Sequence, residues 1–206
     1  LVHSYKYLGA HLDSNLTWNT HIEYICGKIS SRLSALSRIR TYIPENTAKQ
    51  LYNSTVLPLF DYCDIVWSNT SAKNLARLQR LQNRAARIIL LKHKRTHVND
   101  MLTSLNWLNV VDRIEFHKSV LVYKCFHNLV PGYLASRFRS VNSVHCYNTR
   151  SSTNLFLPRV NKSFGLKTFM YSGTKLFNSF SHSLKYSADV KDFKRRYFTE
   201  NRITYS

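Results

Sequence analysis

Eight lysines and arginines, and no acid, fall between Lys73 and Thr96. On a helix from Asn74 to Leu91, at about 100° per residue, Arg77, Arg80, Arg84 and Arg87 share one narrow stripe. Leu75, Leu78, Leu81, Ala85, Ile88 and Ile89 take the adjoining face, so the apolar side can anchor the rod while the guanidinium groups point outward. Lys73 precedes the row, and Lys92, Lys94 and Arg95 form a second basic knot after it. A line of permanently charged donors suits a partner whose negative charges also repeat along a line, and a phosphate backbone is the commonest such partner. Contacts of this kind position a strand without reading its bases. The bland alternative is a solvated face balanced by counterions. The lack of neighbouring acids and the charge of the whole chain favour phosphate.

That charge is 30 basic against 11 acidic residues, a formal +19 over 206 residues. Such a balance favours a polyanion as neighbour. Apolar residues make up 44% and Gly and Pro together number only nine, so the chain can bury a core and is no disordered basic tail.

Other chemistries find little support. Two-metal catalysis needs clustered carboxylates, and no two acids are adjacent anywhere. Asp61 and Asp64 flank Tyr62-Cys63 in a hydrophobic segment and read as structural carboxylates. Cys26, Cys63, Cys125 and Cys146 are scattered with no C-x-x-C pair, which favours reduced thiols. His93 with His97, and His145 beside Cys146, lack a second ligand pair at zinc spacing. His117 and Cys125 stand eight apart on one helix, too far for a nucleophile and its base, and the five glycines form no phosphate loop. No catalytic residue, metal ligand or cofactor is expected in this chain. With no run of about 18 apolar residues, no membrane partner or span is expected either. The absence of a leader and a start at Leu1 suggest an intracellular piece of a longer polypeptide, nuclear or cytoplasmic and not secreted.

The elements that must position the basic row read as mainly α. Residues 1–18 suggest a short strand or hairpin over Tyr5 to Leu16, with Asp13-Ser14-Asn15 as its turn signal. Residues 19–96 read as a helical bundle. Asn19 or Thr20 can cap a helix with apolar positions Ile22, Ile25, Ile29, Leu33, Leu36, Ile39 and Ile43. Pro44-Glu45 opens a second helix with core positions Ala48, Leu51, Tyr52, Thr55 and Val56, and Pro58 kinks or ends it. A helical, buried segment then runs to Trp67, and the arginine helix follows. Residues 97–139 continue helically, around Val98 to Leu105 and from Val110 to Asn128, with a stop at Pro131-Gly132. Residues 140–206 form an irregular, partly β extension: Leu155 to Leu157 and Phe164 to Phe180 suggest short strands or packed loops, and a last helix starts at a Ser187 cap. Trp67 and Trp107 lie in apolar segments and read as core, whereas Tyr7 is a candidate for stacking on a base.

The order of motifs resembles the region after the polymerase palm in reverse transcriptases of non-LTR retrotransposons of the LINE and jockey type. The blocks are Lys6-Tyr7-Leu8-Gly9, Asp13-Ser14-Asn15-Leu16-Thr17-Trp18 with His21-Ile22, and Leu57-Pro58-Leu59-Phe60-Asp61-Tyr62-Cys63 with Val66-Trp67. Leu78-Gln79-Arg80-Leu81-Gln82-Asn83-Arg84-Ala85-Ala86-Arg87-Ile88-Ile89 is the fourth. Tyr147-Asn148-Thr149-Arg150, Pro158-Arg159, Phe164-Gly165 and Lys175-Leu176-Phe177-Asn178-Ser179 make up the tail, so the likeness covers essentially the whole chain.

The resemblance implies that Lys6, Tyr7 and Gly9 belong to a strand element that helps hold a primer end. It implies that the helices to Lys92 form a thumb-like bundle closing over template and primer, with RNA, DNA or an RNA-DNA hybrid as ligand. The family's catalytic Asp-Asp pair is absent, so Mg2+ and polymerase activity would belong to a missing palm. That palm, or the fingers, would be a partner. The alternative expectation is a protein-interaction module, which an exposed hydrophobic patch beside Lys6 to Leu16 would favour, or a decayed retroelement remnant without selected function.

Overall fold

The first structured residues fold back at Leu8 and Gly9. Strand β1 (Ser4–Tyr7) pairs antiparallel with β2 (Ala10–Asp13), placing Tyr7 opposite Ala10 and Tyr5 opposite Leu12. Both turn residues have positive φ, 45° and 86°, as a two-residue hairpin requires. Asp13, expected in the turn, instead ends β2. Its carboxylate accepts from the N–H groups of Asn15, Thr17 and Trp18 and from the Thr17 hydroxyl. Burial opposes its charge, but those bonds outweigh it and hold the carboxyl below the usual range. Helix α1 (Asn19–Ile39) is therefore entered through Trp18 at φ 64°, and neither Asn19 nor Thr20 caps it. Asp13 has taken over the approach to the helix.

This computed structural model describes residues 3–144 and 154–201. It divides into two compact units, Leu1–Ile114 and Glu115–Ser206. In the first, α1 buries Ile22, Ile25, Ile29, Leu33 and Leu36 at helical spacing. It ends before Ile43, in a 3-10 turn at Arg40–Tyr42. Pro44 leads into α2 (Glu45–Thr55), which buries Ala48 and Tyr52 but leaves Thr55 exposed. The break comes at Val56, and Pro58 sits in the first turn of α3 (Leu57–Asp61), where its missing N–H costs nothing. Cys63, at φ 53°, separates α3 from α4 (Asp64–Trp67). Ser71 caps α5 (Ala72–Leu90) by accepting from the Asn74 N–H. Then come α6 (Val98–Leu105) and α7 (Val110–Phe126), with the boundary between units inside α7.

The core of the first unit centres on Ile22, Ile29, Leu33, Val56, Trp67, Leu78, Ala85 and Ile89, all fully buried. Each large side chain there contributes about 1.5–3 kcal/mol of burial. Trp107 is half-buried and stacks on Tyr52 with ring centres 4.3 Å apart, so both core tryptophans pack as expected. Helices α1 and α5 lie side by side and parallel. Asn74 meets Asn19 at 2.7 Å, Arg84 meets Ser34 at 3.1 Å, and Arg40 reaches the Ile89 carbonyl at 2.7 Å.

In the second unit Leu155 to Leu157 is a bridge and loop, as expected, but the stretch from Phe164 to Phe180 is helical. After α7 come α8 (Gly132–Ala135), α9 (Val141–Val144), α10 (Ser163–Leu166), α11 (Phe169–Asn178), α12 (His182–Lys185) and α13 (Val190–Glu200). The aromatic stretch from Phe164 to Phe180 thus folds mostly as α10 and α11. Its rings fill a core with α7 and α13: Phe126 on Phe177 at 4.6 Å, and Tyr123 on Phe193 at 4.4 Å. Among the described residues its β structure is a single bridge, Ser140 to Leu155. Asn178 clamps that segment, accepting from the Leu155 N–H and donating to the Leu155 carbonyl, at 2.8 and 2.9 Å. Asp189, not Ser187, caps the last helix. Ser187 is buried, its carbonyl taking the Tyr123 hydroxyl. Arg196 and Arg195 hold the Asp192 carboxyl at about 2. The Tyr147–Arg150 block and the His145–Cys146 pair lie outside the described residues. Among the described residues no helix is long and apolar enough to cross a membrane.

Two outcomes test this packing. His21, 1% exposed, accepts the His11 N–H on Nδ1, and burial followed by the nearby His11 lowers its pKa from 6.5. The unfolded chain takes up a proton near 6.5 that the folded chain resists. Stability is therefore undiminished above that pH, falls as pH drops through it, and stops falling below the folded value. Urea midpoints measured from pH 7.5 to 5 should decline, and His21→Asn, which keeps an acceptor without the titration, should flatten the decline. Asn178→Ala strands both buried Leu155 backbone groups and should lower the stability of the second unit by about 1–3 kcal/mol in chemical denaturation.

Candidate nucleic-acid interface

Helix α5 is fixed by its apolar face and by amides that its leucine pattern hides. Leu78, Ala85 and Ile89 are fully buried, and Leu75, Leu81 and Ile88 are half-buried against the same core. Asn74 and Gln82 are buried with them. The Asn74 amide donates to Asn19 Oδ1 and Thr70 Oγ1 at 2.7 and 2.8 Å. Gln79 donates to Gln82 Oε1 and Asn83 Oδ1, while its own oxygen accepts the Val110 N–H. Gln82 donates to the Leu108 carbonyl at 2.8 Å. The sequence alone assigns these glutamines no role. They tie the start of α7 to α5, because a buried amide must find partners.

The arginine row lies along the flank of α5 that meets α1. Arg80 and Arg84 are exposed, whereas Arg77 and Arg87 are half-buried, so two of the four are less free than a simple outward stripe implies. The reason is the closeness of the parallel helix. Burial raises the pKa of the Cys26 thiol on α1, and the nearby charges of Arg77 and Arg80 oppose that rise. Arg84 donates to Ser34 Oγ, which itself donates to the Ser30 carbonyl at 2.9 Å. Arg80 bonds the Ala76 carbonyl at 3.3 Å. Among the described residues none of the four pairs with a carboxylate, as Arg113, Arg195 and Arg196 do. From Arg77 to Arg87 the row extends about 15 Å along the axis.

The flanking cations surround the same helix ends. Lys73 is exposed in the first turn of α5. Leu91, at φ 51°, stops the helix, and the Lys92 N–H closes back on the Arg87 carbonyl at 3.0 Å. Lys92, Lys94 and Arg95 are thereby turned off the helix axis, and all three are exposed. His93 accepts the Arg95 N–H, and exposed His97 stands 3.8 Å from Asp100; the two do not meet as ligands. Arg40, which the sequence did not single out, is 7% exposed and donates to the Ile89 and Ile43 carbonyls. It serves the C-terminal end of α5 and is spent on structure.

The hairpin residues form a separate group. Lys6 and Tyr7 are exposed. Lys28 bonds the Tyr24 hydroxyl and, with the charge of Lys6, lowers its pKa. Gly9 has a structural role in the turn. Its φ of 86° lies where L side chains are strained, and a Cβ there would stand 3.3 Å from Tyr62 Cε1. Tyr62 covers the turn and donates to the Leu8 carbonyl. Among the described residues no hydrogen bond or ring contact joins Lys6 or Tyr7 to the α5 row. Asp61 is taken on both oxygens by Arg113, at 2.6 and 2.7 Å, and buried Asp64 accepts the Ile65 N–H.

No protein-family model, curated protein or solved structure matches the chain. Gly9→Ala should destabilise the first unit by about 1–2 kcal/mol in thermal unfolding, and any loss of ligand binding should follow the fraction unfolded. Loss of affinity in a fully folded Gly9→Ala protein would restore a direct contact for this residue.

Proposed function

We propose that this chain binds RNA, DNA or RNA-DNA hybrid along α5, as the thumb-like, non-catalytic part of a retrotransposon-type RNA-directed DNA polymerase. The observation that carries the reading is the row from Arg77 to Arg87, continued by Lys73 and by Lys92, Lys94 and Arg95, with no carboxylate paired to any of them among the described residues. Counterions that balance such a row are released when phosphates replace them, which drives binding by entropy and makes it salt-dependent. Ser34 steadies the Arg84 guanidinium before a ligand arrives, which lessens the side-chain entropy lost on contact. Half-burial of Arg77 and Arg87 lowers the local dielectric and strengthens their pull on a phosphate. Lys6 and Tyr7 on the exposed hairpin offer a second contact, one charge and one stacking face.

The polymerase part of the reading rests on the ordered sequence blocks. The Mg2+-binding carboxylates would lie in a palm outside this chain, and that palm or the fingers would be a protein partner. A nuclear or cytoplasmic setting follows from the same reading.

Fluorescence anisotropy with labelled single-stranded RNA, single-stranded DNA and hybrid duplex, from 50 to 200 mM salt, tests the proposal. Log affinity should fall linearly with log salt, with little dependence on sequence. The double variant Arg80→Gln, Arg84→Gln should reduce the magnitude of that slope by about 1.4–1.8, since each lost phosphate contact accounts for about 0.7–0.9. Circular dichroism and melting should stay near those of the parent. A slope unchanged in the double variant would move the interface off α5.

A further inference from the structure

The open edge of the hairpin points to a second partner, of a different class. In a two-residue hairpin the residues flanking the turn exchange both ladder hydrogen bonds, and bonded and non-bonded pairs then alternate. Tyr7 and Ala10 are therefore a bonded pair, as are Tyr5 and Leu12. The next in phase, His3 and Ser14, shows its bond directly, with the Ser14 N–H on the His3 carbonyl at 3.3 Å. Ser4 and Lys6 consequently aim their N–H and C=O groups away from β2. On the far side of β2 the equivalent outward group, the His11 N–H, is taken by His21 Nδ1 of α1. One edge of the sheet is covered by a helix. Among the described residues the other edge is bare.

Everything on that edge is accessible. All four β1 residues are exposed, Tyr5 at 66% and Tyr7 at 59%, and Leu8 at the turn reaches 74%. An unpaired strand edge with exposed aromatics is a template for an added strand. The groups offered alternate between donor and acceptor along the strand. A phosphate backbone has no donor ladder to match them, whereas an extended peptide does. Side chains fix its chemistry further. Tyr5 and Tyr7 share one face, and Ser4 and Lys6 the other. On the second face Lys6 lies within electrostatic reach of the Tyr24 hydroxyl that Lys28 bonds. Asp13, the acid opposite Ser4, turns its carboxylate to the N–H groups of Asn15, Thr17 and Trp18. Lys6 and Lys28 bring two cations to that face, and among the described residues neither is paired with a carboxylate. A second copy of the chain would bring another +19 to the same place.

We propose that the outer edge of β1 takes an extended acidic segment of a partner protein as a third strand, its apolar side chains over Tyr5 and Tyr7 and its carboxylates beside Lys6. Two outward-facing residues supply at most four backbone hydrogen bonds, so the contact is weak by itself and suits a tethered or multivalent partner.

The test uses the full chain and a dye-labelled peptide of four Val-Glu repeats, with proline-interrupted and Val-Lys peptides of equal length as comparisons. The Val-Glu peptide should bind in anisotropy, and the proline-interrupted peptide of the same charge should bind at least tenfold more weakly. Ser4→Pro removes one outward N–H without touching the β1–β2 ladder, a substitution that edge strands accept. It should weaken the Val-Glu peptide at least fivefold while leaving nucleic-acid binding and circular dichroism unchanged. Hydrogen exchange should show new protection at Ser4 and Lys6 on peptide addition, with Tyr5 and Tyr7 protected beforehand. Equal binding of the acidic and proline-interrupted peptides would overturn the proposal, as would indifference to Ser4→Pro. Concentration-dependent dimers abolished by Ser4→Pro would assign the edge to a second copy instead.

Discussion

The first unit depends on one constraint: two long helices, α1 and α5, packed flank to flank in the same direction. Parallel neighbours cannot be joined by a tight turn, so the chain between them must travel the full length back. It does so in the short pieces α2, α3 and α4, interrupted at Val56 and Cys63. Parallel packing also brings like ends of two helix dipoles together, which is unfavourable unless charge is supplied. At the N-terminal end Asp13 sits before α1, and the Asn74 amide donates to both Asn19 and Thr70 between the helices. At the C-terminal end the buried Arg40 guanidinium lies on the carbonyls of Ile89 and Ile43. The charges that permit the arrangement are of the signs the dipoles require.

This geometry also decides where the arginine row lies. Because the apolar stripe of α5 must face the core, the stripe beside it must border α1, and the guanidinium groups line the seam between the two helices. Ser30 and Ser34 on that border are small, so Arg80 and Arg84 remain in solvent while Arg77 and Arg87 are only half covered. Bulky residues in place of those serines would close the seam.

The sequence made the helices legible where period and burial agree. Ile22 through Leu36, and Leu78 through Ile89, announce their faces because each turn places one apolar residue inward. Helix ends were less legible. Asp13 reaches five residues forward to Trp18, and Asp189 displaces Ser187, because capping is settled by local dihedral angles that composition does not reveal. The second unit was the least legible, since aromatic residues favour strands in isolation yet pack on helices when partner rings are available. Within the candidate site the charges were visible at once. The amides were not: Gln79 and Gln82 acquire their meaning only from Val110 and Leu108, about thirty residues along the chain.

Among the described residues seven that are not glycine, Leu8, Leu16, Trp18, Cys63, Leu91, Asn106 and Asn128, adopt positive φ, several of them at the joints between elements. An L side chain in that region costs about 1–2 kcal/mol that the surrounding contacts must offset. The consequence is unused headroom. At exposed joints such as Leu16 and Leu91, where the side chain adds little packing, a glycine would relieve the backbone and let the same architecture tolerate a warmer environment or a heavier mutational load.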